Sequence, residues 1–425
     1  MSGPAPSGTH THADGATHSH DSVPLYRGYP ARVMNVGRVH HGIGVDIPER
    51  GRPMMQALRE AFAQPFVGIT SDGKPRAGLF PLQSTGVSTA AMVAAAKNFL
   101  ASLKRNDFQR FARQPLDSPD RRRWINAFPD WMPEGVWLAD LDATEREAAF
   151  KVMEASLSAR GFDETRKAMK VNQVLGEFIN HSGDTICELG YFFTIFGNPS
   201  PTEPWGWRLM GYHLVIYCTV VGDQMVLTPS FVGAEMSIID EGPYAGLKLL
   251  QEEQQGGLEL ASSLNPAQRA QAVLYPSMLS KDLPPALGGL DGRHLAAAGQ
   301  DNRIIPFEGV PAGALSKGQR EQLLRLIELY VGRAADPFAQ ARMQEVRRHL
   351  DETHFAWIGD PDRLPFYYRI HSPVVLIEFD HHSGVFLANN NPEPFHIHTV
   401  VRTPNGNDYG LDLLRQHYAA QPHKA

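Results

Sequence analysis

Two stretches of this chain alternate apolar and polar side chains with a period of two, and nothing else in the sequence constrains the fold as strongly. The first, Ile179 to Met236, breaks β-branched and aromatic runs with Gly and Pro. This pattern predicts strands over 191–196, 207–210, 213–220 and 224–228, the last two joined by a turn at Gly222-Asp223. The second stretch predicts strands over 355–358, 366–370, 374–380, 384–388 and 395–402. Connections this short make each stretch an antiparallel meander.

Helical periodicity fills the rest. Ahead of the first meander, helices are predicted over 54–62 and within the Ala-rich segment 85–103, where Met92, Ala95, Phe99 and Leu103 share one side. The capping box Asp142-Ala-Thr-Glu145 starts a third, running to about Ser158 with Gly161 placed to end it, and a fourth covers 164–178. Between the meanders, 241–263 reads as a long helix that Gly256-Gly257 kinks or interrupts, followed by helices over 265–275, after Ser316, and over 340–352. Residues 276–313 read as a Gly- and Pro-rich surface connection, and Gly288-Gly289-Leu-Asp-Gly292 within it lacks the strand and capped helix of a phosphate-binding loop. The fold class is α+β, a helical N-terminal layer packed on antiparallel β-meanders. Residues 1–30 form a disordered His-rich tail, 31–178 a mainly helical N-terminal region, and 179–425 an α+β region whose two meanders carry the site.

Composition narrows the partners. With 42% hydrophobic and 20% charged residues, 425 residues suffice for a large core without covalent staples. Cys187 and Cys218 both sit in apolar runs, so two buried reduced thiols and a cytoplasmic, reducing compartment are expected. A net charge of −6, with no basic run longer than Arg121–Arg123, argues against nucleic acid. No apolar stretch approaches the roughly 18 residues that span a bilayer, which argues against a membrane. The Arg121–Arg123 cluster, with Trp124, Phe128 and Trp131 after it, reads first as a solvated turn with its aromatics in the core and second as an anion-binding corner. The tail pairs His10/His12 and His18/His20 have metal-binding donors, but a mobile arm of this composition receives no catalytic role.

Chemistry concentrates between Phe366 and Tyr418. His396 and His398 lie two apart on a strand, so both rings face one way and can chelate one cation. The turn at Asn405–Gly410 brings Asp408 towards the strand end. Further ligands come from His213, Glu378, Asp408 or His381/His382, although the last pair, before Ser383-Gly384, reads most simply as a turn. Glu378 shares its face with Leu376 and Asp380, and pointing inward it needs a cation or an arginine. Arg402, on the His396/His398 face, is one such partner, or it holds a carboxylate or phosphate of a substrate. Arg208, His213 and the Trp205/Trp207 edge suggest a pocket wall, with His213 on the strand face of Val215 and Tyr217. The plainer reading is a polar strand whose histidines bond to carbonyls and carboxylates.

The leading expectation is a metal-dependent hydrolase acting on a small anionic or polar molecule. Zn or Fe would be held by His396, His398 and His213, with Glu378 or Asp408 taking a proton from the activated water and Arg208 or Arg402 orienting the substrate. A non-haem iron oxygenase with two histidines and one carboxylate is the second reading, and a non-catalytic small-molecule binding protein the third. No Gly-x-Ser-x-Gly elbow or activated cysteine supports covalent catalysis.

Several motifs carry a family resemblance: Pro65-Phe-Val-Gly-Ile-Thr-Ser-Asp-Gly73, Leu79-Phe-Pro-Leu82, Leu157-Ser158 with Gly161, Pro204-Trp-Gly-Trp207, Gly211-Tyr-His-Leu214, and His396-Ile-His398 through Asn407-Asp-Tyr-Gly410. As a set, over nearly all the chain beyond the tail, they resemble the domain-of-unknown-function family numbered 3500. The resemblance implies a shared fold and a shared site but no reaction. The family's Gly211 motif usually has two adjacent histidines, and this chain departs from it with Tyr212 in the first place. A ligand at that position would make metal binding here different.

Overall fold

The computed structural model describes residues 9–11, 17–19, 25–32, 51–127, 131, 133–180, 185–287 and 293–420. It confirms an α+β fold but joins the two expected meanders into one sheet of 13 strands. Eight strands form its body: β1 (Tyr191–Gly197), β2 (Trp205–Gly211), β3 (Leu214–Val221), β4 (Ser230–Ala234), β5 (His354–Ile358), β6 (Tyr367–His371), β7 (Leu376–His381) and β8 (Ile397–Arg402). Their order is β1-β2-β3-β4-β8-β7-β6-β5, with every neighbouring pair antiparallel. The seam between the meanders is the β4–β8 ladder, which sets Gly233 opposite His398 and Phe231 opposite Val400.

Two strand expectations need correcting. The run expected over 224–228 is only Gln224–Val226, and Ser230–Ala234 is a separate strand beyond Pro229. Residues 384–388 form no strand, because the N–H groups of Val385, Phe386 and Leu387 all donate to the buried Glu235 carboxylate at 2.7–2.8 Å. One carboxylate there takes three successive backbone N–H groups, and among the described residues only an isolated bridge between Leu387 and Ala31 joins the segment to another extended stretch.

Alternation along the strands gives the sheet two different covers. On one face, Leu214, Ile216, Val232, Tyr368, Phe379 and Val401 pack against helices that include Ala90–Ser102, Ala143–Ser156, Ala159–Phe178, Gln251–Ser262 and Lys317–Val331. On the other, Tyr217, Phe231, Leu376 and Val400 lie under the helix Arg52–Ala63 and irregular segments around Ile69, Trp124, Leu295 and Tyr409. The segment 293–298 is buried, so the expected surface connection instead roofs the sheet there; its Gly288–Gly292 portion lies outside the described residues.

Local signals set most helix starts. Asp142, Asn265 and Ser316 each make a full capping box, and Leu323, Ile327, Tyr330 and Val331 form the expected buried stripe. Gly161, however, does not end a helix. The helix from Ala143 stops at Ser156, Ser158 caps Ala159–Phe178, and Gly161 lies in that helix's first turn. A Cβ on Gly161 would stand 2.2 Å from the Arg333 carbonyl oxygen, so glycine permits this backbone approach. Gly161→Ala is expected to cost ~2 kcal/mol or more, read as a lower denaturation midpoint; an unchanged midpoint would show that the contact opens freely.

Other boundaries also shift. The region 241–263 holds a short 3-10 helix, Gly242–Tyr244, and one α-helix, Gln251–Ser262, behind a left-handed Leu250, and Gly257 makes room for the Tyr368 ring rather than a kink. The helix expected over 265–275 is Pro266–Ala272 followed by a short strand, and the helix expected over 340–352 is Asp336–Arg348. Arg121 is not solvated: it is buried and donates to Thr219 Oγ1 and the Tyr409 carbonyl, while Phe128 lies outside the described residues. In the arm, Thr9–Thr11 pairs with Thr17–Ser19, and Tyr26 is buried in the core with its hydroxyl on Asp240 at 2.6 Å. The fold therefore begins before residue 31; the side chains of His10, His12, His18 and His20 lie outside what is described. Cys187 and Cys218 are buried thiols. Among the described residues no helix is long and apolar enough to cross a membrane.

Candidate metal centre

Partners across an antiparallel ladder point to the same side of a sheet. On the roofed face one row therefore reads Gly233, His398, Asp380, Tyr367, and the next reads Val215, Phe231, Val400, Glu378, Arg369. Gly233 matters here, since a Cβ on it would come within 3.0 Å of the His398 ring and 2.9 Å of the Ile397 carbonyl oxygen. His396 lies one step before β8 on the same face, as the spacing predicts.

His213 arrives from another part of the sheet. It is not inside a strand beside Val215 and Tyr217, but in the Tyr212-His213 turn between β2 and β3, at φ 57°. Its N–H donates to Asn126 O at 3.0 Å and its carbonyl accepts from Gly233 N at 2.8 Å, which ties the turn to β4. Tyr212 lies beside the triad rather than in it, its ring 3.9 Å from that of His213 and its hydroxyl 3.4 Å from Glu235.

The Nε2 atoms of His396, His398 and His213 form a triangle with edges of 3.0, 3.1 and 3.4 Å. All three rings are buried, and their Nδ1 atoms have no protein partner. This departs from the plainer reading, in which carbonyls and carboxylates hold the histidines. Burial, followed by the neighbouring His382, pulls His213 down to about 3; burial and the surrounding imidazoles hold His396 and His398 well below the usual range. Three neutral imidazoles converging through ring nitrogens are a donor set for a cation. Nitrogens bound at about 2.0–2.1 Å to one zinc-sized ion stand roughly 3.0–3.4 Å apart, so the triangle fits without rearrangement.

Four more polar side chains lie around or near the triangle. His382 is no simple turn residue: its Nδ1 lies 2.7 Å from Ser383 O, and its ring centre lies 4.4 Å from that of His398. His381 points elsewhere, with Nε2 on Gln254 and Nδ1 on the Phe366 backbone. Asp380, across the ladder from His398, has Oδ1 3.3 Å from Arg293 Nη1 and no protein partner at Oδ2. His294 stacks on His398 with ring centres 5.9 Å apart. Strand periodicity puts Asp380 on the face of Glu378, but only strand pairing sets it opposite His398, and no local pattern marks His294.

The four residues expected to act on substrate are already engaged. Arg208 donates to Asp120 Oδ2 at 2.8 Å and to carbonyls of Asp120, Arg123 and Glu134. Arg402 binds Asp408 Oδ2 at 2.7 Å and Asp301 Oδ1 at 2.6 Å, not Glu378. Asp408 also accepts from Thr403 N at 2.7 Å. Glu378 accepts from the N–H groups of Leu295 and Ala296, both at 2.8 Å, and from the Tyr367 hydroxyl at 2.6 Å. Together with Arg402, which donates to Ala296 O at 2.8 Å, Glu378 latches the roof over the triad.

Burial pushes the Glu378 carboxyl up, but His294, the Leu295 N–H and the Tyr367 hydroxyl outweigh it and hold the group down at about 2. Its folded-state value is thus depressed, so its contribution is full above pH 4.5 and disappears as pH falls towards 2. The gap corresponds to ~3 kcal/mol. Acid denaturation of Glu378→Gln is expected to lose this component between pH 4.5 and 2, and a profile that still parallels the parent's would contradict the latch.

Residues 85–411 match the family described as Protein of unknown function (DUF3500). No curated protein and no solved structure matches the chain.

Proposed function

The chain belongs to the DUF3500 family, and we propose that it is a metal-dependent hydrolase in which His213, His396 and His398 hold one divalent ion, Zn or Fe. The observation that carries this reading is the buried Nε2 triangle with edges of 3.0–3.4 Å. A divalent ion held by these three neutral imidazoles would keep its full charge and would supply a water of lowered pKa. The chain's own groups divide the remaining work. Asp380 accepts a proton at its unpartnered Oδ2 while Arg293 steadies Oδ1. Glu378 and Arg402 hold the roof and exclude water, and are positioning residues rather than the base and anion anchor expected from sequence. With Arg208 and Arg402 occupied by Asp120, Asp301 and Asp408, the substrate is small and polar, and no anionic group is required of it.

The oxygenase alternative asks for two histidines and a carboxylate, whereas the third clustered group is the imidazole of His213. Elemental analysis of purified protein, followed by an ester, amide and phosphoester panel, tests the proposal. About one equivalent of Zn or Fe is expected, with hydrolysis lost to a chelator, restored by the metal, and reduced at least ~100-fold in Asp380→Asn. Protein that takes up no metal from a supplemented buffer would overturn the centre. Metal without hydrolysis of any panel member would overturn the reaction and leave the binding-protein reading.

A further inference from the structure

Strand alternation aims two of the three clustered rings, and nothing so regular aims the third. His396 and His398 take their direction from the extended run through β8, whereas His213 holds the second position of the turn that joins β2 to β3, at φ 57°. A side chain at positive φ lies outside the alternation of either strand. The backbone of the turn is pinned, since His213 N–H donates to Asn126 O at 3.0 Å and its carbonyl accepts from Gly233 N at 2.8 Å. These bonds place the Cα but leave the plane of the ring undecided. A ligating imidazole is ordinarily oriented by a hydrogen bond from its second nitrogen. His213 Nδ1 is buried with no partner among the described residues, so that device is missing here.

What meets the ring instead is its chain neighbour. Tyr212 sets its own ring 3.9 Å from that of His213, centre to centre, with the two planes 34° apart. The rings of His396 and His398 stand edge-on to His213 at 5.3 and 5.0 Å, but as fellow ligands they are no independent wall. Tyr212 is buried and itself held in place. Its carbonyl accepts from Asn172 Nδ2 at 2.6 Å, its ring meets Phe386 edge-on at 5.4 Å, and its hydroxyl lies 3.4 Å from Glu235 Oε2. Glu235 is fixed in turn by the N–H groups of Val385, Phe386 and Leu387. With the hydroxyl turned to Glu235, the aromatic face is what His213 receives.

We propose that Tyr212 is the positioning residue of this centre: its ring face holds the His213 imidazole in the plane that brings Nε2 to the other two nitrogens, a role that rests on a metal ion occupying the triad. A flat, buried wall stands in for the missing hydrogen bond at Nδ1. Without it the imidazole turns about its Cβ–Cγ bond, and the ion loses its third donor for part of the time.

Titration of the metal-free full chain with Co(II) tests the assignment, because Co(II) takes the same nitrogen donors as zinc and reports their arrangement in its visible absorption, where d10 zinc is silent. Tyr212→Phe keeps the face and should retain the parent's affinity and bands. Tyr212→Met fills the space with a flexible chain, and should bind Co(II) at least ~10-fold more weakly with altered bands. Tyr212→Leu lacks the face as well and takes its place if the methionine variant fails to fold. Phe99→Leu, in the helix Ala90–Ser102 against Phe193, should lower the melting midpoint while leaving affinity and bands unchanged, which separates general loosening from loss of aim. A parent that takes up no Co(II) would overturn the metal centre and this role together. Parental affinity and bands in a folded Tyr212→Met would overturn the role alone and leave the centre standing. Binding in Tyr212→Phe as weak as in Tyr212→Met, or a loss of equal size in Phe99→Leu, would overturn the assignment to the ring face.

Discussion

His398→Ala is expected to take bound metal from about one equivalent to near none, and His396→Ala and His213→Ala to do the same. Each change removes one of three nitrogens that converge within 3.4 Å, and two imidazoles alone hold a divalent ion far more weakly. The fold should survive, since the sheet's ladders and both faces remain packed and the lost groups are neutral rings. Far-ultraviolet dichroism and the melt of the metal-free protein check that point. His381→Ala is the control: its ring is tied to Gln254 and the Phe366 backbone, so metal content should not change. Full occupancy in the His396→Ala/His398→Ala double variant would refute the assignment.

Arg402→Met is expected to destabilise the protein by ~3–5 kcal/mol, because it leaves Asp408 buried without its cation and Asp301 with only Arg122, at 3.2 Å. The loss also frees the roof at Ala296, so metal retention should fall as the protein approaches its midpoint. Adding Asp408→Asn to Arg402→Met should recover part of the stability, since one stranded charge is removed. Denaturant midpoints at matched slope measure both effects. A cost below ~1 kcal/mol would mean that Arg402 is not a structural tie and would return it to the role of substrate anchor.

The part of the centre legible in the sequence is the part set by neighbours along the chain. His396 and His398 share a face because strand side chains repeat every two residues, and the same rule places Glu378 with Asp380 and Arg402 with His398. The starts of the helices at Asp142 and Ser316 are equally local, since a capping box closes within four residues. Gly161 shows the limit of this reasoning. A glycine near a helix end resembles a stop, and only the Arg333 backbone, 172 positions away in sequence, gives it another purpose.

Local pattern was enough for the α+β class, both meanders and the strand face that His396 and His398 share. Tertiary structure alone decided that β4 pairs with β8, and this pairing carries His213 across a separation of 183 residues to complete the triad. It also decided that Arg208, Arg402, Glu378 and Asp408 are consumed by partners, and that residues 293–301 form a roof. The physical reason is that periodicity reports which way a side chain points, whereas its partner is fixed by whichever long-range packing satisfies the most buried charges and backbone groups at once, a property of the whole sheet and its covers.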